Sequence, residues 1–156
     1  DRGPADRGPA DRGPADRGAA DRGPTEQELR AAFEAGRVPR GGFPHRDHLR
    51  LAWGYLRERP LLEVLERVPA GLRRLAAAVG RPERYHETIT WAWILILHER
   101  LERTGRAATW EEFLAAHPDL LLQGEAGPLG RAYRAETLGS ELARRVFVWP
   151  DRCGEG

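Results

Sequence analysis

Apolar side chains recur at three- and four-residue intervals through most of residues 25–148, the period of helices packed on one side. The first run, Leu29, Ala32 and Phe33, follows Thr25-Glu26-Gln27-Glu28. That tetrapeptide is a capping box, in which the side chains of Thr25 and Glu28 satisfy each other's backbone N–H groups, and Gly36 ends the helix. A second helix is expected at about 45–58, where Leu49, Ala52, Trp53 and Leu56 share a stripe. Pro60 closes it and opens a third, whose stripe runs from Leu61 to Val79. Pro69 lies inside that stripe and predicts a kink or break. The fourth helix is expected at about 83–103. Residues 91–97 are apolar almost all round, which predicts the most buried helix of the set. Thr109 and Glu112 form a second capping box and start a fifth helix, which Pro118 ends. Residues 119–130 read as loop, and 132–138 and 140–148 as two short helices, the second capped by Ser140. No segment alternates with period two. The predicted fold is therefore all-α, a single orthogonal or up-down bundle of five to seven helices.

Residues 1–24 break this pattern. They repeat the unit DRGPA with small changes, carry Gly and Pro in almost every unit and contain no large apolar residue. Such a segment has nothing to bury and is expected to be a disordered, inert spacer. The organisation expected is a tail at 1–24, a helical domain at 25–152 and a flexible end at 153–156. About 130 residues is a normal size for one hydrophobic core.

Charge excludes some partners. With 25 basic and 24 acidic residues the net charge is +1, and no basic patch marks a nucleic-acid or anionic-membrane surface. All the basic residues are arginine, while Lys, Met and Asn are absent. All three have A/T-rich codons, so a G/C-rich genome explains the pattern and an arginine here is weak evidence for an anion site. The single cysteine, Cys153, has no internal disulfide partner. The apolar run at 94–97 stops at His98, Glu99 and Arg100, far short of the roughly 20 residues a membrane helix needs. With no signal peptide in view, the expected location is cytoplasmic.

The five histidines carry the candidate chemistry. His45 and His48, three apart, share a face in the first turn of the second helix, and His86 opens the fourth. If the second, third and fourth helices run up, down and up, these three imidazoles meet at one pole. Such a set suits a divalent transition metal, Zn2+, Fe2+ or Cu2+, with one position open to water or substrate. Glu87 is then the candidate catalytic base, and Asp47 a ligand or an orienter of a histidine. Tyr85 and Thr88 are candidate binding groups. His98 lies about 18 Å from His86 along the helix and is left out. His117, before Pro118, reads as a helix terminator. Arg144 and Arg145 are expected to face solvent. Trp91 and Trp93 project about 200° apart and read as packing groups. The spacing leaves three readings open: a metal site, a metal-free polar pocket, or histidines that only hydrogen-bond neighbouring loops. Glu87 and Asp47 also sit where a helix dipole favours a carboxylate without any further role.

The blocks FPHRDHLRLAWGYL (43–56), RYHETITWAWILILHERL (84–101), TWEEFLAAHPDLL (109–121) and ELARRVFVWPD (141–151) resemble a family of small, uncharacterised bacterial all-helical proteins. The markers are HxxHLRLAW and YHETIT, and the likeness covers residues 25–152. It implies a single helical domain but no reaction. Within it His45, His48, Tyr85, His86, Glu87, Thr88 and Thr90 stand out as polar groups that a helix interior does not need. Three classes of function follow. One is a small metal-dependent enzyme acting on a small molecule. The second is a non-catalytic small-ligand-binding or accessory protein without metal. The third is a homo-oligomeric module built on the fourth helix or the tryptophans.

Overall fold

The apolar stripes set the architecture. The computed structural model describes residues 23–106 and 108–152, and within them the chain is all-α, with eight α-helices, three 3-10 turns and no strand. The tail over residues 1–22 and the end at 153–156, with Cys153, lie outside the described residues. Helices α1 (Glu26–Glu34), α2 (His45–Glu58) and α3 (Leu61–Ala78) fall where the periodicity puts them. So does α4 (Glu87–Thr104), apart from its start. Both capping boxes form. The Thr25 hydroxyl accepts from Glu28 N–H while the Glu28 carboxylate accepts from Thr25 N–H. Thr109 and Glu112 repeat this at the start of α5 (Trp110–Ala116).

One buried cluster joins α2, α3, α4 and α5, centred on Trp53, Leu56, Val68, Leu97 and Phe113. Trp53 meets Trp110 at 5.5 Å and Phe113 at 6.1 Å between ring centroids. Each such side chain, taken wholly out of water, contributes about 2 kcal/mol. The most heavily buried helix is α2 and not α4: Leu49 and every residue from Leu51 to Leu56 are buried. The reason is position. α2 packs against α1, α3 and α4 and reaches α5 through Trp53, whereas α4 leaves Trp91, Trp93, Leu95 and Ile96 only half-buried. Pro69 does not break α3, which runs unbroken through it with the proline ring buried.

Two segments fold differently from their expected form. Before α4, Pro82–Arg84 makes a 3-10 turn, Tyr85 and His86 are extended, and the helix begins only at Glu87. Residues 119–130 are not open loop but a compact corner: 3-10 turns at Pro118–Leu121 and Gly124–Ala126, then α6 (Pro128–Ala132). A Cβ on Gly127 would lie 2.2 Å from the Leu122 carbonyl oxygen, and one on Gly130 2.0 Å from that of Gly124, so only glycine permits this packing. α7 (Ala135–Leu138) and α8 (Glu141–Arg145, capped by Ser140) complete the described chain before the extended segment at 146–152. Among the described residues no helix is long and apolar enough to cross a membrane.

α1 crosses two helix glycines, and they differ in tolerance. A Cβ on Gly71 of α3 would stand 2.0 Å from the buried Phe33 ring, but one on Gly54 of α2 would meet the movable end of Glu26 at 2.5 Å. Gly71→Ala is expected to lower unfolding free energy by about 2 kcal/mol through overpacking. Gly54→Ala is expected to be neutral or to stabilise by up to about 1 kcal/mol through helix propensity. Urea denaturation of both variants checks this, and equal effects would contradict the packing of α1.

Candidate functional site

The geometry of the histidine-rich pole follows from how α2 and α4 lie together. The His45 ring sits 4.8 Å from the Trp93 ring. At the other end of α2, Arg106, just past α4, donates to the Leu56 carbonyl at 2.8 Å. The two helices thus run the same way, as the up-down-up reading requires. They are offset, however. The start of α2 meets α4 at Trp93, seven residues beyond His86, or about 10 Å along the axis. The first turn of α4 therefore projects past α2 and is covered by the C-terminal segment instead.

That covering consumes the polar groups of the first turn. His86 is the N-cap of α4: its Nδ1 accepts from Ile89 N–H at 3.1 Å, and its Nε2–H donates to the Leu138 carbonyl at 2.7 Å. Both ring nitrogens are engaged, which fixes the Nε2–H tautomer. Thr88, fully buried, donates to the Val146 carbonyl at 2.9 Å and accepts from Val148 N–H at 3.1 Å. Thr90 donates to the His86 carbonyl at 2.7 Å. Glu87 is buried on another side of the helix, ion-paired with Arg73 of α3. The Arg73 guanidinium also lies 4.7 Å over the Tyr85 ring. Burial and the Glu87 charge lift the Tyr85 hydroxyl to about 12. That hydroxyl is buried without a hydrogen-bond partner among the described residues.

The two histidines of α2 stay near each other but are held by different neighbours. His45 donates from Nε2 to the Leu120 carbonyl at 3.3 Å. His48 stacks on Phe43 at 3.9 Å. Burial pushes the His48 pKa down to about 4. Asp47 is partly buried, and that desolvation raises its carboxyl above the usual range.

The expected three-histidine centre is therefore corrected. His86 does not join His45 and His48, and among the described residues no three of His, Cys, Asp and Glu form a group that could hold a metal ion. The physical cause is the two-turn offset of α4 and the capping duty of His86. Glu87 faces Arg73 and so does not stand beside the α2 histidines as a base. Tyr85 and Thr88 likewise point to different neighbours. Among the other residues singled out, His117 ends α5 with its Nδ1 3.2 Å from Arg100, and Arg144 is exposed but donates to the Glu83 carbonyl at 3.0 Å.

What does stand at this pole is a cavity of about 400 Å3. Ile89 and Trp93 of α4, His45 of α2, and Leu129, Tyr133 and Leu138 of the 122–138 corner line it. Gln123, Glu125 and Arg152 also border it, with Glu125 almost fully exposed. Tyr133 is fixed by donating to the Val148 carbonyl at 2.8 Å. Arg152 is pinned at two points, by its backbone N–H to the Ala132 carbonyl at 3.0 Å and by Nη1 to the Gly130 carbonyl at 2.6 Å. Of these lining residues only His45 was legible as a site residue. Gly124, Gly127 and Gly130, spaced by threes, were the missed signal of a folded corner. Comparison of the chain with protein-family models, curated proteins and solved structures gives no match.

Two outcomes test this arrangement. Because the folded His48 ring stays neutral down to about pH 4 whereas the unfolded ring protonates near its ordinary 6.5, the unfolded state binds the extra proton between those values. This contribution to stability is complete above pH 6.5 and is lost as pH falls toward 4, by at most about 3 kcal/mol. Urea unfolding at pH 7.5 and 4.5 is expected to show a smaller drop in His48→Phe than in the parent chain. Equal drops would contradict the burial of this ring. Second, His86→Ala is expected to lower stability by about 2 kcal/mol, and His86→Asn to regain about 1, since asparagine restores the cap but not the Leu138 bond. Equal losses in both variants would refute the capping role.

Proposed function

We propose that this chain is a small-molecule-binding protein whose site is the cavity between α4 and the 122–138 corner. The observation that carries the reading is the cavity itself: about 400 Å3, walled mainly by Ile89, Trp93, Leu129, Tyr133 and Leu138, with a few polar groups at its border. Its volume lies within the range of ligand sites, and apolar walls with few polar groups are the usual composition of such sites. Trp93 and Tyr133 supply flat faces for an aromatic or branched apolar body.

Binding without turnover is the better-supported form of the reading. Glu87, the candidate base, faces α3, and His86 has both ring nitrogens engaged by the backbone. His45 is the imidazole on the cavity wall, and Glu125, the carboxylate there, is exposed at the border. Among the described residues, none of the groups singled out for proton transfer is aimed into the cavity by a hydrogen-bonded partner, as a positioned general acid or base would be.

Indole is a suitable first probe, since it fills an apolar pocket and carries a single N–H donor. The expected result is a saturable rise in melting temperature with indole, because a ligand selective for the folded state stabilises it by mass action. Ile89→Trp, which fills the cavity from the α4 side, is expected to abolish the rise while keeping the melting temperature of the ligand-free chain. An equal rise in the parent and in Ile89→Trp would refute the site.

A further inference from the structure

The border of the cavity carries two opposite charges that pair only loosely. Arg152 Nη1 and Glu125 Oε1 are 4.0 Å apart, beyond hydrogen-bond length, and Glu125 is 91 % exposed. Arg152 is nevertheless held in place, by Nη1 to the Gly130 carbonyl and by its backbone to Ala132. Its remaining guanidinium donors are not taken up by a carboxylate at bonding distance. The Glu125 backbone belongs to the 3-10 turn Gly124–Ala126, which Gly127 and Gly130 lock against neighbouring carbonyls. Both charges thus issue from packed backbone, and both line the cavity.

This arrangement discriminates by charge. A ligand with a lone carboxylate gains from Arg152 but is repelled by Glu125. A lone ammonium meets the reverse. A neutral apolar molecule gains from neither. A molecule with a carboxylate and an ammonium on one carbon gains from both, and it bridges two charges that are too far apart to hydrogen-bond directly. Behind the charged border the walls are Trp93, Tyr133, Ile89 and Leu138, which suit an aromatic or branched side chain.

From these observations we infer that the ligand is a free amino acid with a large apolar side chain. The carboxylate lies at Arg152, the ammonium at Glu125 and the side chain inside the cavity. This rests on the binding role proposed for that cavity and adds the chemistry of its ligand.

Calorimetric titration of the full chain tests it with L-phenylalanine, 3-phenylpropionate, phenethylamine and indole. L-phenylalanine is expected to bind about twofold to fivefold tighter than 3-phenylpropionate or phenethylamine, the gain available from one exposed charge pair. Glu125→Gln is expected to erase the preference over 3-phenylpropionate, and Arg152→Gln the preference over phenethylamine. Both substitutions are at exposed side chains and leave the core intact. If indole binds and is blocked by Ile89→Trp, but the three charged probes bind equally or the two variants change nothing, the zwitterion inference fails and the cavity reading stands. If no probe binds, both fail.

Discussion

A polar side chain at the mouth of a buried helix needs a partner, and at the start of α4 the partners are backbone groups of the C-terminal segment. His86 and Thr88 between them make four hydrogen bonds there: to Ile89 within the helix, and to Leu138, Val146 and Val148 outside it. Leaving buried groups of this kind unpaired costs about 1–3 kcal/mol each. The segment 138–148, which contains the short helix α8 but buries only Ala143 in the core, is held by satisfying them. Once it is held, Tyr133 and Leu138 line one cavity together with Ile89 and Trp93.

The same constraint accounts for the separation of the histidines. α4 begins about two turns before its contact with His45 at Trp93, so its first turn needs a cover that α2 cannot give. The C-terminal segment supplies that cover and takes both nitrogens of His86. The polar residues of the YHETIT block thus point outward from one helix turn to separate neighbours: Glu87 to α3, Thr88 and His86 to the C-terminal segment, Thr90 back to its own helix. They act as anchors between elements, while the space able to take a ligand is bordered by residues from four separate stretches of chain.

Much of the fold was legible because its determinants are local. The two capping boxes, the stripes of α1 and α2 and the Ser140 cap need only neighbours within four residues, and these form where the residues predict them, whereas the burial of α4 and the course of α3 through Pro69 differ from the expectation. The common direction of α2 and α4 also followed from short connections. Their offset did not, because it is a matter of packing between distant stretches such as those that bring Trp53, Leu97 and Phe113 into one cluster. Likewise the N-cap role of His86 was hidden, since histidine is not a usual capping residue and Pro82–Arg84 already turns like a helix. The cavity was least legible of all. Its walls are ordinary apolar residues such as Ile89 and Leu138, and Arg152 had the background of an arginine-rich chain against it.

The decisive question is whether the His86 ring belongs to the fold or to a metal site. Long-range proton–nitrogen NMR correlation on the chain labelled with 15N-histidine reads this directly, at pH 7.5, with and without one equivalent of Zn2+. The structure requires the Nε2–H tautomer, with Nδ1 as acceptor, unchanged by zinc. A ring protonated on Nδ1, or one whose nitrogen signals move when zinc is added, would contradict the account.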